Sequence, residues 1–168
     1  MTFTDNPPNE LQRFLQLIPA SRAGAWLFAR TLHHIDRLLL SVSGGRLSIP
    51  GLTAGLPVIQ LTTIGAKSVQ LRTVPVAGLS DGDKIVLVAS NFGQAHHPAW
   101  YHNLRAHPEA TLVLPTHSAI YMAHEATPTE RALYWPLAAD FYRGYPVYQQ
   151  RTGGRIIPLM VLIPKSDA

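Results

Sequence analysis

The stretch VIQLTTIGAKSVQLRTVPV, residues 58–76, has the pattern of two strands joined by a tight turn. Val58–Ile64 and Leu71–Val76 are rich in β-branched residues, which favour strands. Between them, the polar segment Gly65–Ser68 is suited to reversing the direction of the chain. We therefore expect a β-hairpin, in which the two strands pair antiparallel.

Other short strands lie on both sides of this hairpin and are separated by turns. The predicted ones are Arg46–Ile49, Lys84–Ser90, Thr111–Leu114, Ala119–Glu125 and Ile156–Ile163. Pro158 indicates that the last of them begins or lies at an edge there, because proline donates no ladder hydrogen bond. Six or so short strands that mostly meet through tight turns predict a small antiparallel barrel. The expected fold class is mainly β, with helices added to the barrel (α+β).

Three segments have helical signals. Trp26–Val42 carries apolar residues at helical spacing, which predicts an amphipathic helix packed on the domain, with contact to a membrane surface as the alternative. A second helix is expected to begin at Pro98, as its first helical residue, and to end near Ala106. A third opens with the capping-box sequence Thr127–Glu130 and is expected to kink at Pro136.

The composition limits the class of protein. The 168 residues suit one structural unit, with an arm and amphipathic helix at 1–42 ahead of the barrel at 43–168. The absence of cysteine excludes disulfides and thiolate catalysis. A net charge of +4 without a dense basic run favours a small anionic partner over nucleic acid. The polar N-terminus and the lack of a long apolar run predict a cytoplasmic protein, with membrane association as the alternative.

Several common catalytic patterns are missing from the sequence. His96, His97 and His102 lie close together, but no HExxH pattern accompanies them, so no metal site is expected. We expect His97 to cap the helix that follows it. A serine-hydrolase GxSxG elbow and the glycine-rich GxGxxG and GxxxxGK[ST] loops are also absent. The remaining candidate is a site that binds a flat, anionic ligand.

The stretch ASNFGQAHHPAWYHNL, residues 89–104, is the strongest candidate for such a site. Gly93 permits close approach of the backbone, and the N-terminus of the following helix favours anions. Trp100 and Tyr101 can cover an aromatic ring. A second anion site is predicted at the hairpin turn, where two cations and a hydroxyl come from Lys67, Arg72 and Ser68. An ordinary exposed lysine is the alternative interpretation of Lys67.

These motifs resemble those of the deazaflavin-dependent nitroreductase and quinone reductase family. The segments LTTIGAKSVQLRTVPV, DGDKIVLVASNFG, HHPAWYHNLRAHPE and YRGYPVYQQRTGGRIIPLMVL occur in the family's order, between about Ser43 and Ile163. The family turn GRKSG is replaced here by Gly65–Val69, while Arg72 is retained. The resemblance implies an FMN-binding-like split β-barrel. It also implies binding of coenzyme F420, a deazaflavin with a phosphate-linked oligoglutamate tail.

The resemblance assigns cofactor-binding roles residue by residue. The phosphate and acidic tail would be held by Ala66, Lys67, Ser68 and Arg72. The cofactor would be bordered by Thr73, Val74 and Pro75. Backbone donors to the pyrimidine end of the ring would come from Val88, Ala89, Ser90 and Asn91. Residues of the following helix would close the site, namely Ala99, Trp100, Tyr101 and Asn103. Asn91 replaces a lysine of some family members, and Phe92 replaces a common glycine.

Three tyrosines match the family's substrate-binding series. Tyr142, Tyr145 and Tyr148 would line the substrate side, with Tyr145 touching both cofactor and substrate. Ser90 or a tyrosine hydroxyl would meet the negative charge that develops on the substrate oxygen. The same spacing also suits one packed face of a helix, which is the alternative interpretation.

The implied activity is hydride transfer from reduced F420 to a quinone, a nitroaromatic compound or an activated enone. A cofactor that itself donates the hydride is consistent with a chain that lacks an evident acid–base pair. An FMN-binding split-barrel reductase is one alternative, and a non-catalytic barrel that carries a cofactor or lipid is the other. A homodimer is expected by analogy with the family.

Overall fold

The computed structural model describes residues 58–114 and 117–165. The predicted helix at 26–42 and the predicted strand at 46–49 lie outside these residues. The six strands are β1 (Val58–Ile64), β2 (Leu71–Asp81), β3 (Lys84–Val88), β4 (Glu109–Val113), β5 (Ser118–Glu125) and β6 (Leu159–Pro164). The helices are α1 (Ala99–Ala106), α2 (Pro128–Phe141) and α3 (Gly144–Arg151), and a short 3-10 turn covers Asn91–Gly93.

The strands form a closed barrel in the order β1-β2-β3-β6-β5-β4. Every neighbouring pair is antiparallel. The ring closes between β1 and β4, where Leu61 lies opposite Leu112. The predicted antiparallel barrel with added helices is therefore confirmed.

Two separate hydrophobic clusters flank the barrel wall. Side chains that alternate along a strand point to opposite faces, so Met160 and Leu162 of β6 join one cluster while Leu159 and Val161 join the other. The first cluster contains buried residues from five strands and from α1, with Val74 and Val76 of β2 packed against it, and fills the barrel. The second packs strands β2, β3 and β6 against α2 and α3. The predicted substrate tyrosines belong to this second cluster.

The hairpin and the capping box were predicted from local sequence, and both are present. β1 has the expected bounds, whereas β2 continues beyond Val76 to Asp81. Thr127 caps α2, with the Thr127 hydroxyl and the Glu130 carboxylate each accepting a backbone N–H of the other residue. α2 continues past Pro136 to Phe141.

The structure differs from the sequence expectations at several other places. β3 ends at Val88 and not at Ser90, and β4 covers Glu109–Val113 and not Thr111–Leu114. Pro98 is the N-cap of α1, so His97 does not cap that helix. α3 was not predicted as a separate helix. β6 begins at Leu159, because the N–H of Ile157 donates to the side chain of Gln149 at 2.8 Å and not to a strand.

The β1–β2 turn contains a strained residue. Val69 has a φ of 55°, which lies in the left-handed region that β-branched residues rarely adopt. This is the position where the GRKSG pattern has its second glycine. The Val69 side chain is 68% exposed, so little packing compensates for the strained backbone.

We expect Val69→Gly to raise the free energy of unfolding by about 0.5–1 kcal/mol, because relief of the left-handed conformation outweighs the added freedom of the unfolded chain. The midpoint of urea unfolding, at unchanged slope, measures this change. Gly82 provides the reciprocal control, since its φ is 63° and a Cβ added there would have open space around it. Gly82→Ala should therefore be destabilising through backbone strain alone. A loss of stability in Val69→Gly would contradict the prediction.

Candidate active site

A buried asparagine joins α1 to the β1–β2 turn. The Asn103 carboxamide accepts the N–H of Ala66 at 3.0 Å and donates to the Thr63 hydroxyl at 3.0 Å. Asn103 is 8% exposed, so both bonds are shielded from water. A buried amide whose donor and acceptor are both used is costly to displace. Asn103 therefore fixes the position of the turn relative to the helix, although the two are 37 residues apart.

The cations of the turn point to solvent. Lys67, Ser68 and Arg72 are all exposed. Neither Lys67 nor Arg72 has an acidic partner anywhere in residues 58–114 and 117–165. Arg72 lies opposite Thr63 in the β1–β2 ladder, next to the end of the hairpin. Two cations without protein partners are thus presented by a turn whose position Asn103 fixes.

The rest of the predicted border of the cofactor lies on β2. Thr73 is exposed, and its hydroxyl shares a hydrogen bond of 2.8 Å with that of Thr62. Val74 is partly buried against the cluster inside the barrel, and Pro75 pairs with Gln60 in the ladder. Val74 and Pro75 therefore contribute to the barrel wall.

The loop after β3 has backbone donors without partners. The N–H of Ala89 donates to Pro158 at 3.0 Å, and that of Ser90 donates to Val88 at 2.8 Å. The N–H groups of Asn91 and Phe92 have no partner within the described residues. The backbone of Ser90 has the right-handed helical conformation, and that of Asn91 has the left-handed one, with a φ of 49°. Such a pair directs successive N–H groups into one concavity, which is known as a nest and favours negatively polarised groups.

Gly93 ends the 3-10 turn in close contact with α3. Its φ is 77°, and a Cβ placed there would lie 3.1 Å from the Tyr148 backbone. Only glycine meets both requirements without displacing the helix. The neighbouring Arg151 has a buried Nη1 without a hydrogen-bond partner. Within the described residues, Arg151 thus has an unused guanidinium donor, and its Cβ would lie 3.3 Å from a Cβ placed at Gly93.

Arg155 was not among the predicted site residues, yet it contacts much of the loop. Its guanidinium donates to the backbone oxygens of Ala89, Ser90 and Gln94, at distances between 2.8 and 3.3 Å. Nη1 also lies 3.1 Å from Nδ1 of His97. The only sequence signal for this role was an arginine placed between a Gly-Gly pair and an Ile-Ile-Pro segment. That signal does not indicate which backbone the arginine binds.

His97 is held as a neutral acceptor. Burial lowers the pKa of His97 from its usual value, and the neighbouring charges of Arg155 and His102 lower it further. Glu125 opposes this shift, and Arg105 adds to it. Because Arg155 donates towards Nδ1, the ring proton of the neutral histidine lies on Nε2.

The other predicted residues of α1 have different environments. Ala99 is exposed, and Trp100 is half-buried against the cluster inside the barrel. Tyr101 is buried, and its hydroxyl donates to Glu125 at 2.8 Å. Its ring also packs against His97, with 4.6 Å between centroids. Tyr101 therefore packs against the loop through His97. Ala99 and, in part, Trp100 are accessible to solvent in the described structure.

The three predicted substrate tyrosines are buried together. Tyr142 and Tyr148 share a hydrogen bond of 3.0 Å between their hydroxyls. The Tyr145 hydroxyl has no hydrogen-bond partner in the part of the chain that the structure describes. Burial, followed by the neighbouring tyrosines, raises the pKa values of Tyr142 and Tyr145 far above the ordinary one. These phenols keep their protons and act only as neutral groups.

The described residues of the site do not form a group of metal ligands. Within residues 58–114 and 117–165, no group of three or more His, Asp or Glu side chains could hold a metal ion.

Among the described helices, none is long and apolar enough to cross a membrane.

Known sequences identify the family of the chain. The sequence profile of the F420H(2)-dependent quinone reductases matches residues 29–164. An F420H(2)-dependent quinone reductase from Mycobacterium tuberculosis is 35% identical over 109 residues, which are 63% of this chain and 72% of that protein. A second relative from the same species, named for the same activity, is 30% identical over 115 residues, 68% of this chain and 96% of the relative.

Solved structures support the same relationship. The structure of an F420-H2-dependent reductase superimposes with a TM-score of 0.58 at 34% identity, covering 63% of this chain and 93% of that one. A protein described as a domain-swapped dimer superimposes with a TM-score of 0.60 at 30% identity, covering 77% and 93% respectively. The barrel is therefore the split barrel that the motifs implied.

The donor set fits a cofactor with phosphate, carboxylate and ring carbonyl groups. Lys67 and Arg72 provide positive charge without competing acidic partners. The N–H groups of Asn91 and Phe92 form an unused nest at the end of β3. The profile spans most of the chain, and the relatives and the barrel agree with it. The chain belongs to the F420H2-dependent quinone reductase family, whose members are oxidoreductases with coenzyme F420 as their cofactor.

Proposed function

We propose that this protein transfers a hydride from reduced F420 to a quinone. The observation that carries the proposal is that, among the described residues of a chain of this family, two cations have no acidic partner and a backbone nest is unused. Nitroaromatic compounds and activated enones are further candidate acceptors, because they too are electrophiles that take up a hydride. The activity for which the relatives are named supports the quinone as acceptor.

The β1–β2 turn is proposed to bind the phosphate and the acidic tail. Lys67 and Arg72 supply charge, and Ser68 and the backbone of Ala66 lie between them in the sequence. The bonds of Asn103 to Ala66 and Thr63 hold this turn before the ligand arrives. Preorganisation of this kind lowers the entropy that binding would otherwise cost.

The loop after β3 is proposed to bind the ring. The N–H groups of Asn91 and Phe92 are the donors proposed for the ring carbonyl oxygens, because those of Ala89 and Ser90 already donate to Pro158 and Val88. Val88 is buried on the α2–α3 side of the wall, so its contribution is to support the loop from below. Trp100 provides a half-exposed aromatic face on the adjoining helix.

The chemistry follows from orientation and charge. When bound, the reduced deazaflavin supplies the hydride. The chain holds the acceptor near the ring, and Ser90 or Tyr145 donates a hydrogen bond to the acceptor oxygen as negative charge develops there. Of the three tyrosines, Tyr145 is the one proposed for this role, because Tyr142 and Tyr148 bond to each other.

The direct test follows F420H2 oxidation by the purified protein with menadione as the acceptor. We expect turnover with F420H2 and none with NADPH, because no dinucleotide-binding fingerprint is present. Equal rates with NADPH would reject the proposal. Tight binding of FMN without binding of F420 would favour the FMN alternative, and binding without any turnover would favour the carrier.

The cations of the turn provide a sharper prediction. Lys67→Ala combined with Arg72→Ala should weaken F420 binding by about tenfold or more, because charge-assisted contacts contribute about 1.5–3 kcal/mol each before screening by salt. Fluorescence titration at two salt concentrations measures the effect. The rate at saturating cofactor should change little.

A trimmed deazaflavin without phosphate and glutamates is the control for the tail site. It should bind the wild type and the double variant with nearly equal affinity, since it carries no anionic tail. Loss of affinity for the trimmed form in the double variant would show that the turn acts through folding. As a matched charge control, Lys165→Ala removes an exposed cation that pairs with Glu109 at 2.6 Å, and it should leave both affinities unchanged.

Tyr145→Phe tests the proposed contact with the acceptor. We expect kcat to fall about fivefold, as for the loss of one hydrogen bond of about 1 kcal/mol, while F420 affinity is retained. Tyr142→Phe is the matched control, because it removes the bond to Tyr148. That variant should be less stable, with kcat near that of the wild type. The opposite result, with Tyr145→Phe merely less stable, would assign Tyr145 to packing.

Self-association is the assembly we propose, as an expectation carried over from the family. The neighbour described as a domain-swapped dimer supports it. Exposed apolar side chains on the outer face of β4, β5 and β6 also support it, namely Val113, Ile120, Met122 and Ile163. Light scattering that gives a monomer at all concentrations would contradict this expectation. Contact of residues 26–42 with a membrane surface stays a prediction outside the described residues.

A further inference from the structure

Arg155 donates hydrogen bonds to three backbone oxygens of the loop after β3. Nη2 donates to the Ser90 oxygen at 2.9 Å and to the Gln94 oxygen at 2.8 Å. Nη1 donates to the Ala89 oxygen at 3.3 Å and lies 3.1 Å from Nδ1 of His97. One planar group therefore holds both ends of the segment that contains the nest.

The bond to Ser90 has a geometric consequence for the cofactor side. The carbonyl of Ser90 and the N–H of Asn91 belong to the same planar trans peptide, so they point in opposite directions. Because the oxygen points to Arg155, the N–H of Asn91 points away from it. The partnerless donor of Asn91 is thereby directed away from Arg155, while the N–H of Phe92 belongs to the next peptide, whose oxygen accepts the N–H of Gln94 at 3.0 Å.

The loop has little intrinsic preference for this conformation. Asn91 and Phe92 are consecutive left-handed residues, with φ values of 49° and 55°. Left-handed phenylalanine is unfavourable, so the surrounding structure must hold it in place. Phe92 packs, partly buried, against the cluster that contains α2 and α3, with 6.2 Å between its ring centroid and that of Tyr148, and the side chain of Asn91 donates one bond to the His96 oxygen. Arg155 adds four hydrogen bonds to the backbone oxygens of Ala89, Ser90 and Gln94, which flank these two residues.

We infer that Arg155 is a positioning residue, which sets the nest at Asn91 and Phe92 for the deazaflavin ring while contacting only the protein. The inference rests on the proposed function of this site. Lysine cannot replace Arg155, because an ammonium group lacks the planar fork that reaches several carbonyls at once. Binding of the deazaflavin ring should therefore depend on Arg155, just as binding of the acidic tail should depend on Lys67 and Arg72.

The test compares Arg155→Lys with Arg131→Lys. Arg131 is the matched control, because its Nη1 also donates to a backbone oxygen, that of Ile157 at 2.6 Å, but makes no hydrogen bond to residues 89–94 in the described structure. Binding of F420 and of the trimmed deazaflavin is followed by fluorescence at a temperature where all variants are folded. Hydrogen exchange of the Gly93 and Gln94 amides is followed in the protein without cofactor.

We expect Arg155→Lys to weaken binding of both deazaflavins by a similar factor of about ten or more, equivalent to about 1.4 kcal/mol. The tail variant of Lys67 and Arg72 should weaken only the full cofactor. Exchange at Gly93 and Gln94 should be faster in Arg155→Lys than in the wild type and unchanged in Arg131→Lys. Guanidinium ions added to Arg155→Ala at low concentration should restore part of the affinity, while equal sodium chloride should not.

Normal affinity for both deazaflavins in a folded Arg155→Lys protein would overturn the inference. Equal losses in Arg155→Lys and Arg131→Lys would also overturn it, because the effect would then be general destabilisation. A wild-type protein that binds neither deazaflavin would instead reject the proposed function, and the role of Arg155 towards the ring with it. In that case the hydrogen-exchange comparison still distinguishes whether Arg155 holds the loop.

Discussion

The pairing of β1 with β4 is the constraint on which the other features of the structure depend. It closes the sheet, so each strand has two paired neighbours and no edge is left within the ring. Alternating antiparallel strands then bring the end of β1, the end of β3 and the starts of β4 and β6 to one end of the barrel. The turn with Lys67, the nest and Arg155 all belong to segments at that end. A site made from distant parts of the sequence is thus a consequence of the closed topology.

Closure also explains the position of α1. The helix connects β3 to β4, two strands that are not neighbours in the ring, and it therefore crosses the end where the site lies. Leu104 and Tyr101 insert into the cluster inside the barrel. Asn103 lies between these anchors and bonds to the β1–β2 turn. Packing of the helix in the barrel mouth and placement of the cationic turn are therefore coupled.

Features with local causes could be predicted from the sequence. The bounds of β1 follow from its β-branched run, and the capping box of α2 follows from Thr127 and Glu130. Both depend on residues within a few positions of each other. The resemblance of the motifs added the family, the split barrel and the cofactor, which composition and periodicity alone did not provide.

The contacts that join distant segments could not be predicted in this way. Asn103 meets a turn 37 residues away, and Arg155 meets the Ser90 carbonyl 65 residues away. A polar residue on a short helix or loop does not reveal its partner, since many pairings satisfy the same donors. The separation of α3 from α2 was missed for a related reason. Gly144 would clash with the Tyr142 ring if it carried a Cβ, and this requirement is visible only in three dimensions.

Strain is concentrated where the chain is proposed to meet its ligand. The non-glycine residues with positive φ in the described chain are Val69, Asn91 and Phe92, all in the two segments that form the site. Left-handed backbone of this kind persists only when its surroundings determine it. Asn103 adjoins the first segment, and Arg155 and His97 adjoin the second. The polar contacts that anchor the site therefore hold a backbone shape that its own sequence disfavours.

This arrangement accounts for the absence of an evident acid–base pair. The raised pKa values of Tyr142 and Tyr145 keep both phenols protonated, and the lowered pKa keeps His97 neutral in its contact with Arg155. The two phenols therefore do not exchange a proton near neutral pH, as general acid–base catalysis would require. In the proposed function the cofactor supplies the hydride, which places a different demand on the protein. Fixed donors and correct orientation then provide the rate, and a rigid, partly strained loop at a barrel end is suited to both.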